Sequence, residues 1–182
     1  ITERAVKNWT LTSQENTSGT LDLNAEVVFT NTRDTFPNTS DSVTELNIEK
    51  NVPESYKGYN GNNGFQFEIT LSNLSPNSTY QYEQYGQTRD FQSDENGLAI
   101  LKLSVSKTSP VKIIGNGLSS FKYSIKENAP LAGDTYTFIP SMQVYEDTSL
   151  LDNVGGKKGI DFVSKTYTAK TGKINRAVVT ND

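Results

Sequence analysis

The stretch Phe65-Gln66-Phe67-Glu68-Ile69-Thr70-Leu71 sets Phe65, Phe67, Ile69 and Leu71 at every second position, with polar residues between them. Successive side chains of a strand point to opposite faces, so this period predicts a strand buried on one side. A less regular alternation marks residues 46–50, 98–105, 111–114, 121–127, 160–168 and 174–181. Turn formers divide these runs. Residues 60–64 and 155–159 read as loops, Asp94-Glu95-Asn96-Gly97 and Gly115-Asn116-Gly117 as turns, and Asn128-Ala129-Pro130 as a break. Residues 136–139 and 141–145 read as two strands separated by Pro140, while 149–154 has room for a helical turn. No long segment carries the 3.6-residue period of a helix. Short strands at this spacing predict an all-β sandwich.

The first 36 residues read as a separate piece. Trp9-Thr10-Leu11-Thr12 and residues 21–30 give two strands, too few to fold alone. The run Glu26-Val27-Val28-Phe29-Thr30-Asn31 has the same logic as Arg176-Ala177-Val178-Val179-Thr180-Asn181: a β-branched strand ending in Thr-Asn. The organisation expected is therefore 1–36 as the closing strands of a preceding β-domain, 37–42 as a linker and 43–182 as the main domain.

Three polar residues break the apolar rows of the main domain. Lys50 shares a strand face with Leu46 and Ile48, Glu127 with Tyr123 and Ile125, and Asn181 with Ala177 and Val179. Buried singly, each is costly unless it finds a partner. Buried together, they bring an amine, a carboxylic acid and a carboxamide into one dry site, the reagents for an internal amide bond. Each also has a plainer reading. Lys50 could guard an open sheet edge, Glu127 could be a solvated strand end, and Asn181 could be a turn residue.

Composition narrows the remaining chemistry. Hydrophobic residues make up 34% of the 182 and charged residues 21%, enough for a core, with Tyr (nine) and Phe (eight) carrying much of it. Net charge is −4 and no Lys/Arg stripe forms, which argues against nucleic acid. No apolar run approaches a membrane span. Cys and His are both absent, so thiol, Ser-His and zinc chemistry have nothing to build on, and neither a metal nor another cofactor is expected. A cysteine-free extracellular β-domain needs either a sufficient core or a crosslink other than a disulfide.

Four stretches of this chain resemble the Gram-positive pilin and surface-adhesin domains of the CnaB-like, isopeptide-forming family, particularly those of streptococcal pili. The likeness rests on Leu46-Asn47-Ile48-Glu49-Lys50-Asn51-Val52, on Asp94-Glu95-Asn96-Gly97-Leu98 and the strand after it, and on Tyr123-Ser124-Ile125-Lys126-Glu127-Asn128-Ala129-Pro130, close to the family's Tyr-x-x-x-Glu box. The closing Thr-Asn strand, present twice, is the fourth element. The closing strand departs from the family in having Val179 where an aromatic is usual. No Tyr-Pro-Lys pilin motif occurs, so no polymerising Lys can be assigned.

This resemblance implies an Ig-like sandwich with an autocatalytic amide between Lys50 and Asn181, and Glu127 as its catalyst. Asn31 would be the bonded Asn of the preceding domain, or a competitor for Lys50. The module would be structural rather than an enzyme with turnover. It would be extracellular and attached to the cell wall or a pilus, with other pilus or adhesin subunits, or a host surface ligand, as partners. A second reading stays open: a secreted, uncrosslinked β-sandwich that binds a ligand or a carbohydrate. Tyr56, Tyr59, Tyr80, Tyr82 and Tyr85 could line a sugar platform. Five Asn-x-Ser/Thr triplets, at Asn8, Asn16, Asn38, Asn73 and Asn77, would fit a glycosylated adhesion domain, although a chain this rich in Asn, Ser and Thr produces them by chance.

Overall fold

The computed structural model describes residues 9–15, 28–33, 43–52, 64–115, 120–129 and 138–181. The chain divides into two compact units, Ile1–Thr39 and Ser40–Asp182. In the first, β1 (Trp9–Glu15) and β2 (Val28–Arg33) form an antiparallel pair with Trp9 opposite Arg33 and Glu15 opposite Val28. Residues 21–27, expected to begin the second of these strands, lie outside the described residues.

The second unit is built from two sheets. The larger runs β11 (Ser149–Gly155), β10 (Pro140–Glu146), β14 (Ile174–Asn181), β3 (Glu45–Asn51), β8 (Val111–Ile114), β5 (Thr79–Gln84) and β6 (Gln87–Gln92). The smaller runs β12 (Phe162–Val163), β9 (Phe121–Glu127), β4 (Phe65–Ser72) and β7 (Ala99–Val105), with β13 (Tyr167–Ala169) also on β9. Every pairing among the described residues is antiparallel except one: β14 lies parallel to β3. The described residues contain no helix, and the all-β sandwich expected from the alternation is the architecture observed.

The core is the sum of the inward rows. Leu46 and Ile48 of β3, Ala177 and Val179 of β14, and Met142 of β10 are buried together with Phe67, Ile69 and Leu71 of β4 and Tyr123 and Ile125 of β9. Burying such side chains contributes about 1.5–3 kcal/mol each before ordering costs. The turn at Asp94 is made by its own carboxylate, whose Oδ1 accepts from the Asn96 and Leu98 amides, both at 2.8 Å. Gly97 closes it at φ 70°, where any Cβ would run into the Leu74 carbonyl.

Three local expectations are corrected. Pro140 opens β10, a position where its missing N–H is tolerated, and Phe138 and Ile139 before it are not in a strand, while Tyr136 and Thr137 lie outside the described residues. Residues 149–154 hold no helical turn; they belong to β11, folded back on β10 around Asp147, whose φ is 55°. The run 160–168 is not one strand. Ser164 enters the ladder with its side chain, its hydroxyl accepting from Ile125 N at 2.9 Å and donating to Lys165 O at 2.8 Å, and so divides β12 from β13. Elsewhere, the β5–β6 hairpin turns on Tyr85 and Gly86, both left-handed at φ 54° and 68°. A bulky residue in that region is uncommon, which leaves the turn without an obvious signal in the sequence.

Candidate reactive site between the sheets

Three strands deliver three side chains to one point. The alternating burial of β3 puts Lys50 on the face of Leu46 and Ile48. The last residue of β9, Glu127, continues the row of Phe121, Tyr123 and Ile125. The last residue of β14, Asn181, continues the row of Ala177 and Val179. Lys50 stands opposite Val179 in the parallel pair. Asn181 therefore lies two residues further along the same face, a strand-wise offset of roughly 7 Å. Glu127 reaches across from the other sheet, where it pairs with Phe67 and Phe162.

Lys50 Nζ is 2.7 Å from Glu127 Oε1, and both side chains are fully shielded from solvent. The same oxygen accepts from Asn181 Nδ2 at 2.9 Å, and Asn181 is 0% exposed. Aromatic rings wall the amine, with the Phe65 centroid 4.5 Å and the Phe67 centroid 5.8 Å from Nζ. The plainer readings of these residues do not hold. β3 is an interior strand flanked by β14 and β8, so Lys50 guards no edge. Glu127 is buried rather than solvated, and Asn181 is inside the ladder opposite Pro140 rather than in a turn.

Burial raises the Glu127 pKa above the usual carboxylate range. The Lys50 charge and the hydrogen bonds from Lys50 and Asn181 pull the other way without cancelling it. The polar inventory is also lopsided. Glu127 Oε1 has two partners, while Glu127 Oε2 and the Asn181 carbonyl oxygen find no hydrogen-bond partner among the described residues. Native interiors rarely leave such atoms unfilled without a reason.

No protein-family model matches the sequence, and no curated protein sequence does either. Solved structures do match. The major pilin of Streptococcus pyogenes aligns over 86% of this chain and 51% of its own, with a TM-score of 0.54 at 18% identity. Its Asn-to-Ala variant gives a TM-score of 0.55 at 17% identity, over 87% of this chain and 52% of that one. A Glu-to-Ala variant of the same pilin gives 0.54 at 17% identity. The fold is that of a Gram-positive pilin. The chain spans about half the length of the pilins it matches.

Within this pilin fold the other singled-out residues fall elsewhere. Asn31 sits on β2 opposite Leu11, in the first unit, and its side chain lies outside the described residues. The tyrosine platform is not assembled: Tyr80 and Tyr82 face the core at 5% and 8% exposure, and Tyr85 stands alone in a turn. Tyr56 and Tyr59 lie outside the described residues. Among the described residues no group of three or more His, Cys, Asp and Glu could hold a metal ion. Asn175, not among the expected site residues, is buried on the same face of β14 as Asn181. The alternation across 174–181 was the signal that could have found it.

Proposed function

We propose that this chain is a structural module of a bacterial pilus or surface adhesin, stabilised by an autocatalytic amide between Lys50 Nζ and Asn181 Cγ. The observation that carries the proposal is Glu127 Oε1, which lies within hydrogen-bond distance of both Lys50 Nζ and the Asn181 amide in a site closed to water.

A dry environment penalises both charges of the Lys50–Glu127 pair, favouring the tautomer with neutral amine and neutral acid. In that tautomer the amine carries a free lone pair, and Glu127 holds a proton to donate. A half-turn of the Asn181 amide exchanges its oxygen and nitrogen, atoms whose assignment follows from the surrounding network. The presently unfilled carbonyl oxygen would then accept from Glu127, which polarises Cγ. Nζ attacks Cγ and a C–N bond forms. One amine proton passes by way of Glu127 to Nδ2, the Cγ–Nδ2 bond breaks, and ammonia leaves. Folding has already positioned the reactants, which supplies much of the acceleration. The reaction runs once per molecule.

The bond would join the first and last strands of the sandwich and close most of the second unit into a loop. Its stabilisation follows the same loop-closure logic as a disulfide, without susceptibility to reduction. Tension applied at the two chain ends of the unit would load the amide while sparing the strands between. These properties suit an extracellular, wall-attached or pilus-borne module whose partners are further subunits of the same assembly.

Intact-mass measurement of the folded chain tests this. The expected mass is one ammonia below the sequence mass, with the full sequence mass restored by Glu127→Ala. A wild-type chain at full sequence mass would overturn the crosslink and leave an ordinary sandwich.

A further inference from the structure

The inner row of β14 reads Asn175-Ala177-Val179-Asn181, with polar ends and small apolar residues between. Asn175 is completely occupied. Its Nδ2 lies 2.9 Å from Glu45 O on β3, 2.9 Å from Lys170 O and 3.0 Å from Lys173 O, while its Oδ1 accepts from Lys170 N at 2.9 Å. A second anchor grips the same end of β14 from the other side. Asp147, in the β10–β11 turn, accepts from Ile174 N at 3.0 Å and from Lys173 Nζ at 2.9 Å, and its own amide donates to Ile174 O at 2.8 Å. Thr44 and Thr171 tie that corner once more, hydroxyl to hydroxyl at 2.8 Å.

The evenly spaced hydrogen bonds of a parallel pair do not distinguish a register from one shifted by two residues, so side chains must fix it. A one-residue slip of β14 would turn Asn181 out of the sandwich. A two-residue slip keeps the face but moves Asn181 by roughly 7 Å along β3. We infer that Asn175, backed by Asp147, is a positioning residue for the crosslink: by locking β14 to β3 at one end, it sets Asn181 at Lys50 and Glu127 at the other. The inference rests on the crosslinking proposed above. It adds a distant residue that sets the outcome without touching the reacting atoms.

The test has two readouts. The first is the time course of ammonia loss on refolding, by intact mass, for wild type, Asn175→Ala, Asp147→Ala and Val144→Ala. The last variant cuts a buried β10 side chain that makes none of the anchors' hydrogen bonds, and so controls for lost stability. A small misplacement of reacting groups costs up to about a hundredfold in rate. Asn175→Ala is expected to slow ammonia loss at least roughly tenfold, Asp147→Ala to slow it less, and Val144→Ala to leave it near wild type. Wild-type speed in Asn175→Ala, or equal slowing in Val144→Ala, would overturn the inference.

The second readout does not need the crosslink. The chain has no Cys, so introduced pairs report register alone. In a Glu127→Gln background, the register partners Asn51→Cys and Thr180→Cys should oxidise together, and Glu49→Cys with Thr180→Cys should not. Adding Asn175→Ala should let the second pair oxidise. If wild type loses no ammonia, the crosslink reading fails and these pairs alone decide: trapping of the slipped pair upholds the anchor, and its absence rejects it.

Discussion

Asn175 and Asn181 occupy opposite ends of one strand, on one face, and both are shut away from solvent. Their surroundings differ in kind. The amide nitrogen of Asn175 meets backbone carbonyls, and its oxygen accepts from a backbone amide. Such partners cannot titrate or leave, so the residue is a staple. Asn181 meets a carboxyl group that also holds an amine, and its carbonyl oxygen finds no partner among the described residues. Burial and residue type are shared, so neither would set a reactive amide apart. What separates the two is whether the neighbours can exchange protons.

The contrast can be broken at either end. Removing Glu127, the proton shuttle proposed above, should have the largest effect. Glu127→Ala is expected to fold without the amide and to lose the stabilisation of a closed loop of roughly 130 residues, about 4–5 kcal/mol in the chain-entropy account. For a unit of this size that corresponds to a fall in thermal midpoint of about 10–20 °C, read by calorimetry against wild type. An unchanged midpoint would mean that the bond adds nothing to the native fold.

An Asn-to-Asp exchange at each end separates a staple from the proposed reactant. At Asn175 it removes the donors facing three carbonyls and sets a carboxylate against them. In an Asn181→Ala background, where no crosslink can contribute, Asn175→Asp is expected to cost about 2–4 kcal/mol in denaturant titration. At Asn181 the exchange keeps an electrophilic carbon, and the same amide forms with water lost instead of ammonia. The Asn181→Asp product should match the wild-type product in mass and come close to it in stability. Equal damage at the two positions would erase the distinction.

The gentlest probe is pH. Burial raises the Glu127 pKa, so the native state keeps a proton at pH values where the unfolded chain has released it. In Asn181→Ala, which retains Glu127 and cannot crosslink, this contribution is complete below the usual carboxylate range. It declines as pH rises through the raised value. Denaturation midpoints at stepped pH should fall over that window, and Glu127→Gln in the same background should flatten the trend.

How much of this was legible in the sequence depended on which interactions set each element. The strand carrying Asn181 was bounded correctly at both ends, because its β-branched run and the Ala177-Val179-Asn181 row mark it out. Strand β9 was equally plain, with Phe121, Tyr123 and Ile125 spaced by two ahead of Glu127. The broken strand at Ser164 was hidden, because a side-chain hydroxyl replaces a ladder bond there and no local pattern announces that substitution. The Tyr80–Tyr82 alternation was visible, but a tyrosine row suits a sugar platform as readily as a core until the facing sheet is known. Lys50 and Asn181 could be assigned to inner faces from spacing. That their strands run side by side and parallel is a matter of topology, which alternation does not encode.

That parallel alignment has a geometric outcome for anything built from this unit. Because β3 and β14 point the same way, the polypeptide arrives at one pole of the sandwich and departs from the other, roughly 20 Å away at strand rise. Repeats strung pole to pole would advance in a line without doubling back, so the length of a fibre could grow with each copy added.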